Sequence, residues 1–386
     1  MNSRNTITFS KFGSMGRLGN QVLQWVAMKG IANRYGHDLT LPKWKYSKYF
    51  DNPPKEGIVD CARQIKEPAY HYSTGWLEDI QSNTDISGWL QSPKYYEPHH
   101  VPKFIEWFKK DVKNKFQVYN KPTIAISIRR GDFVNNWRYN NLQITYYISA
   151  LLSLHDWKNK NIVFFSDDLQ YCKLHFECLP NAFFADELSD IEQLCAMSMC
   201  DEFIISNSTF SYCGALLSGK PTVLRPRWIF SEKYRQEHSE KDYWPEDWQV
   251  HDDHRIDLKD VTFTIPVFYD HTDRKQNLNL SLCLLQRHFE SNYIIGEQGS
   301  KEFGYMSAFS SYRWFDLPHF HRTKMLNDMC RMADTPIIIN WDADNIIPPM
   351  QMYLAVEQVR SGAHMVYPFD GRVARMPRHE WFKRME

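Results

Sequence analysis

Apolar residues along this chain fall into short runs that end on glycine, hydroxyl or charged positions. Ile7 to Phe9 is one such run and leads into Gly13-Ser14-Met15-Gly16-Arg17-Leu18-Gly19-Asn20. Thr123 to Ile126 is another, followed by Ser127-Ile128-Arg129-Arg130-Gly131-Asp132-Phe133. Ile162 to Phe165 ends on Ser166-Asp167-Asp168, and Phe203 to Ile205 ends on Ser206-Asn207-Ser208-Thr209-Phe210-Ser211. Each run reads as a short buried strand. Between them lie helical patterns. One covers Gln21 to about Tyr35 and stops at Gly36; another covers Glu187 to Met199, with Leu188, Ile191, Leu194 and Met197 at helical spacing. Strands alternating with helices predict a parallel α/β sheet. Every charged or hydroxyl-rich cluster then sits at a strand end, where open α/β sheets bind their ligands.

Residues 231–260 are polar and charged, with Trp244-Pro245-Glu246-Asp247-Trp248 inside them. A fresh apolar pattern begins at Val261 to Val267, which reads as a first strand. A boundary near residues 250–260 follows, with one domain over 1–255 and a second over 261–386. In the second, Ile337 to Asn340 reads as a buried strand that delivers Asp342-Ala343-Asp344.

The chain has 386 residues, of which 43% are hydrophobic, enough for more than one core. Aromatic residues reach 15%, with 13 Trp and 21 Tyr, which fits ring-lined clefts of the kind that hold carbohydrate and equally fits an aromatic core. Lys plus Arg and Asp plus Glu both number 46, so formal net charge is zero. A nucleic-acid footprint is not expected, and any anion site must be local. None of the eight cysteines forms a C-x-x-C pair, so reduced, partly buried thiols are the expectation rather than structural zinc. No run of 18 apolar residues and no apolar leader occurs, so a cytoplasmic chain without a transmembrane segment is expected.

Two adjacent arginines at a strand end, with glycine and aspartate just after, suit an anion clamp. A guanidinium grips phosphate in a bidentate fork, and a nearby carboxylate can fix its rotamer. A surface Arg–Asp pair at a turn is the alternative. The glycines of the Gly13–Asn20 loop either close a tight turn or let the backbone approach an anion at a helix N-terminus. The Ser206–Ser211 cluster either caps a helix or shares its N-terminus with a phosphate. Ser166-Asp167-Asp168 either starts a helix or offers acceptors to a metal, a base or a ribose. Together the clusters supply donors for a diphosphate and acceptors for a nucleoside, as a nucleotide sugar requires.

Four segments carry a resemblance: GRLGNQVLQWVA from Gly16, SIRRGDF from Ser127, FFSDDLQYCK from Phe164, and DIEQLCAMSMCDEFIISNSTFSYCGALLSGKPTVLRPRWIF from Asp190. In order and spacing, the first ~250 residues resemble the α-1,2-fucosyltransferases, with the segment around Trp244 resembling the family's closing piece. The resemblance implies a GT-B architecture of two Rossmann-like halves. It implies inverting, metal-independent transfer of fucose from GDP-fucose to a hydroxyl of a galactoside-containing glycan. Arg129 and Asp132 become the catalytic candidates: Arg129 would hold the diphosphate and stabilise the leaving GDP, with Asp132 and Arg130 in support. Asp167 or Asp168 would contact guanosine. Ser206, Ser208, Thr209 and Phe210 would line the phosphate pocket, and Arg17, Asn20 and Gln21 would face donor or acceptor. Members of the family often carry His where this chain has Ser127. No residue of these motifs offers itself as the general base that inverting transfer needs.

The remainder resembles the N-terminal part of a GT-A glycosyltransferase, through VTFTIPV, the stretch HFHRTKMLNDMCRMADTPIIINWDADNIIPP from His319, and MVYPFDGR from Met365. The expectation is a partial GT-A, Rossmann-like domain, an incomplete second transferase. Its Asp342 and Asp344 could share a divalent metal, Mn or Mg, bridging a diphosphate.

Overall fold

The computed structural model describes residues 4–78, 80–299, 311–369 and 371. The chain divides into two compact units. The first comprises Met1–Gln143, Ala150–Lys173 and Leu179–Asp252; the second comprises Ile144–Ser149, Leu174–Cys178 and Asp253–Glu386.

The first unit holds two parallel sheets. One is built from β1 (Thr6–Thr8), β2 (Asp38–Leu41), β3 (Lys55–Glu56), β4 (Arg63–Lys66) and β5 (Thr84–Ser87), in the order β3-β2-β1-β5-β4. The other contains β6 (Thr123–Ile128), β7 (Asn161–Ser166), β8 (Ala182–Phe184), β9 (Glu202–Ile204), β10 (Thr222–Pro226) and β11 (Gln249–His251), in the order β11-β10-β9-β6-β7-β8. All six residues of β6 are buried, as expected of a central parallel strand covered on both faces. Ile124 pairs with Ile162 of β7 on one side and with Glu202 of β9 on the other. Strand order thus runs outward from β6 in one direction and returns to β9 in the other, so a switch point lies between them. The first sheet has its switch between β1 and β5. Such points open crevices at the strands' carboxyl ends, and doubly wound sheets use them for ligands.

The helix after β1, Leu18–Tyr35, starts three residues before the expected Gln21, because Leu18 itself is buried. Gly36 ends it at φ 70°, a left-handed C-cap that glycine adopts without strain. One apolar cluster runs through this unit from Ile7 to Trp248. Tyr243 and Trp248 pack on the buried Tyr212, so the polar stretch after residue 231 is anchored by rings.

The second unit has one parallel sheet of β12 (Ile256–Tyr269), β13 (Phe289–Gly299), β14 (Ser311–Trp314) and β15 (Ile337–Asn340), in the order β14-β13-β12-β15. Ile294, Phe315, Met325, Leu326 and Met329 form an apolar cluster there. β12 begins five residues before the expected Val261, with a register shift between Asp257 and Thr262. The expectation of a buried β15 is corrected. It is an edge strand in which Ile337 is buried and Ile338 is exposed, since among the described residues only β12 pairs with it. Among the described residues no helix is long and apolar enough to cross a membrane. All eight cysteines are free, four of them buried.

Candidate active site

The two switch points of the first unit open on one cleft of ≈ 660 Å³. The carboxyl end of β6 supplies Ser127, Arg129, Asp132 and Phe133; the end of β9 supplies Asn207, Ser208, Thr209 and Phe210. From the first sheet come Gly13, Gly16, Arg17, Asn20 and Gln21 after β1, and Trp89 and Gln91 after β5.

Arg129 is the charged centre of the β6 end, its side chain only 16% exposed. One terminal nitrogen donates to Asp132, and the other lies 3.0 Å from Asp167 Oδ2. The Asp132 carboxylate also faces Arg17 at 3.5 Å. Asp167 Oδ1 accepts the Arg130 backbone N–H at 2.9 Å. This last contact needs Gly131, because a Cβ there would stand 2.2 Å from Asp167 Oδ2. A guanidinium has five N–H donors, so two carboxylate partners leave Arg129 with donors to spare.

The two helix N-termini meet beside this cluster. Ser208 caps Thr209–Ser218, its hydroxyl accepting the Phe210 N–H at 3.2 Å. Leu18–Tyr35 has Arg17 at its cap position with no side-chain acceptor for its first amides. Gly19 allows the approach: a Cβ there would lie 2.6 Å from the Phe210 nitrogen. The uncapped first turn of Leu18–Tyr35 and the dipoles of both helices favour an anion there.

Some expected residues do other work. The Gln21 amide donates to the Gly13 and Gly16 carbonyls at 3.1 and 2.9 Å and accepts from Trp44 Nε1 at 2.8 Å, so it clips the glycine loop. Asn20 Oδ1 accepts from Gln91 Nε2 at 2.7 Å. Arg130 does not line the cleft. Its guanidinium stacks 3.7 Å from the Tyr171 ring centroid and lies 3.4 Å from Asp168. Asp168 also caps the helix that follows, accepting the Tyr171 N–H at 3.1 Å, and it too stands outside the lining. Ser206 is fully buried, paired with Ser211 at 3.1 Å, and holds the turn rather than the cleft wall.

The rest of the wall was missed by sequence reasoning. Tyr46, Tyr70, Trp89, Tyr139, Phe230 and Tyr243 line the cleft, along with Lys45, Asp190 and Gln193. Phe133 and Tyr139 stack at 3.7 Å and 5°, and Phe230 lies 5.9 Å from Tyr139. Burial pushes the Tyr70 hydroxyl up to about 12 and raises Tyr139 as well, so both stay protonated donors at neutral pH. Tyr46 donates to Asp190, which begins the helix Asp190–Ser198 behind a Ser189/Glu192 capping box. The S-x-x-E spacing at Ser189 was the available signal for placing Asp190 at a helix N-terminus.

In the second unit, Asp342 Oδ1 is held by Arg322, with Nη2 at 2.7 Å and Nε at 3.2 Å, and Asp344 is exposed. Among the described residues no group of three or more His, Cys, Asp or Glu is placed to hold a metal. Asp370 and Arg372 of the MVYPFDGR segment lie outside the described residues.

The chain is 32% identical over 108 residues to the O-antigen biosynthesis glycosyltransferase WbnK of Escherichia coli, covering 26% of this chain and 35% of that protein. It thus spans about a third of that relative's length. Among solved structures it is similar to the fucosyltransferase NodZ from Bradyrhizobium, at 12% identity and a TM-score of 0.39, covering 58% of this chain and 96% of that one. It is also similar to Arabidopsis thaliana FUT1 in complex with GDP, at 11% identity and a TM-score of 0.37, covering 57% and 70%. The model of glycosyl transferase family 11 matches residues 32–251, more than half of the chain. That span carries Arg129, Asp167 and Ser208 at the ends of β6, β7 and β9 and stops before β12, so the chain belongs to glycosyl transferase family 11, a fucosyltransferase family.

Proposed function

We propose that this chain transfers L-fucose from GDP-fucose to the 2-hydroxyl of a galactoside, with inversion, in glycan or surface-polysaccharide synthesis on the cytoplasmic side. The observation that carries the reading is the convergence of Arg129, Arg17 and two helix N-termini on one cleft of a family 11 chain. The diphosphate lies against these donors, and Arg129 stabilises charge developing on the leaving GDP. The ring-lined wall of Tyr70, Trp89, Tyr139 and Phe230 takes the acceptor sugar, with tyrosine hydroxyls as hydrogen-bond donors. The donor site needs no metal, because arginine and amide donors supply the counter-charge. Names of relatives agree in kind: one acts in O-antigen biosynthesis, another is a fucosyltransferase.

The test is GDP release from GDP-fucose with β-galactoside acceptors, in buffer containing EDTA. Turnover is expected; its absence with every β-galactoside rejects the reading. Thermal shifts with GDP-fucose, GDP-mannose and UDP-galactose separate the donors, since a bound ligand raises apparent stability by mass action. Ser127 motivates a second reading, a nucleotide-sugar-binding module with weakened turnover. Ser127 is buried and lines the cleft, where family members often carry His. Donor binding without turnover, with a rate gained in Ser127→His, favours that reading.

A further inference from the structure

Inverting transfer needs a group that takes the proton of the attacking hydroxyl, and the cleft narrows the choice. No histidine and no glutamate is among its lining residues; three aspartates are, Asp132, Asp167 and Asp190. Asp132 and Asp167 both hold Arg129, and Asp132 faces Arg17 as well. A carboxylate gripped by guanidinium is a poor proton acceptor, because protonation gives up the ion pair. Asp190 is different. It is exposed, and no arginine or lysine forms an ion pair with it among the described residues. Its Oδ2 accepts from the buried Tyr46 hydroxyl, and its Oδ1 accepts the Ile191 N–H at 2.8 Å. Each oxygen therefore keeps a lone pair while the carboxylate is fixed in place. Lys45 interacts with Asp190 through charge alone, its ammonium lying 4.5 Å from the Tyr46 ring centroid. The acid on its own helix, Glu192, is engaged by Lys115.

We infer that Asp190 is the general base for the acceptor hydroxyl and that Tyr46 is its positioning residue. The inference rests on the fucosyl-transfer reading above. In the step, the acceptor oxygen bonds to C1 of the donor sugar as the bond from C1 to the diphosphate oxygen breaks. The bonding pair leaves with GDP, and the acceptor proton passes to an Asp190 carboxylate oxygen. Tyr46 comes from the loop after β2 and Asp190 from the second-sheet half of the same unit, so closing this pair assembles the base.

The experiment compares native chain with Asp190→Asn. Transfer to a β-galactoside is expected to fall roughly 10²- to 10⁴-fold, the range for loss of a general base. GDP affinity and melting temperature are expected to stay unchanged, showing a folded donor site. Azide is the discriminating probe, because an anionic nucleophile needs no deprotonation. It is expected to restore GDP release by Asp190→Asn, with a fucosyl azide as product. Undiminished galactoside transfer, or failure of azide to restore release by a variant that still binds GDP, overturns the inference. Tyr46→Phe, which keeps the ring and the base, is expected to lose less than Asp190→Asn. Native chain is run beside it with GDP-fucose, GDP-mannose and UDP-galactose. A failure of the fucosyl reading shows there as turnover of another donor, and the Asp190 comparison is then made with that donor.

Discussion

At the scale of single residues, the proposed recognition of phosphate turns on Arg129. Its two terminal nitrogens are shared between Asp132 and Asp167, a planar fork fixed on both sides. An ammonium cannot reproduce that geometry. Arg129→Lys is therefore expected to lower kcat by roughly 10²-fold or more, the cost of losing a preorganised donor to a developing oxyanion. Steady-state kinetics with saturating donor check this; unchanged kcat removes Arg129 from the step. Asp132 pulls the other way in the free site, because its carboxylate occupies Arg129 and Arg17 where a diphosphate would bind. Asp132→Asn is expected to tighten GDP binding by roughly two- to five-fold, the scale of an exposed ion pair worth up to ~1 kcal/mol. Calorimetric titration with GDP measures it, and weaker binding would show that orienting Arg129 matters more than competition. The Arg129–Asp132 pair was legible in Ser127–Phe133, whereas Asp167 and Arg17 join it from other strand ends. Asp190 and Tyr46 were not legible, because only folding brings residue 46 beside residue 190.

At the scale of elements, strands β6, β7 and β9 were readable as unbroken apolar runs because parallel strands are buried on both faces. The edge strand β15 was misjudged for the same reason, since a run of isoleucines carries no mark of an unpaired side. Helix starts were less legible. The helix Asp190–Ser198 begins at a capping box rather than at the first apolar position, and its N-terminus holds Asp190 in place. That box has a measurable signature. Glu192 is partly buried, which by itself raises its pKa, yet hydrogen bonds from Lys115 and Ser189 bring it down to about 2. A carboxyl depressed in the fold binds protons more readily in the unfolded chain. Its contribution is present above the unfolded value near 4.3 and fades as pH falls toward 2. With Lys115 half exposed, the ion pair is screened by solvent. Glu192→Gln should lower stability at neutral pH and flatten the acid limb between about pH 4.5 and 2. Urea unfolding at stepped pH reads both; a parallel acid limb in the variant would show that other carboxyls govern it.

At the scale of the molecule, the α/β class and the strand-end clusters followed from alternating apolar runs, but the cleft did not. It exists because the β1/β5 switch of one sheet and the β6/β9 switch of the other open on the same space. The sequence marks strand ends, not strand order, and Lys45, Tyr46, Tyr70, Trp89, Gln91 and Tyr139 of the wall come from loops with no motif. Every residue lining the cleft lies between Gly13 and Tyr243, inside the first unit. Donor binding should therefore stabilise that unit through its own cleft, independently of the acidic pair after β15. At a donor concentration near 100 times Kd, the stabilisation is about 2.7 kcal/mol. In calorimetric melting of the full chain, GDP-fucose is expected to raise the transition of the first unit. The Asp342→Asn, Asp344→Asn double variant should show the same rise, because neither carboxylate reaches the cleft. A shift lost in that variant would mean that the donor is held in the second unit, and the site would have to be sought at the carboxyl ends of β12 and β15.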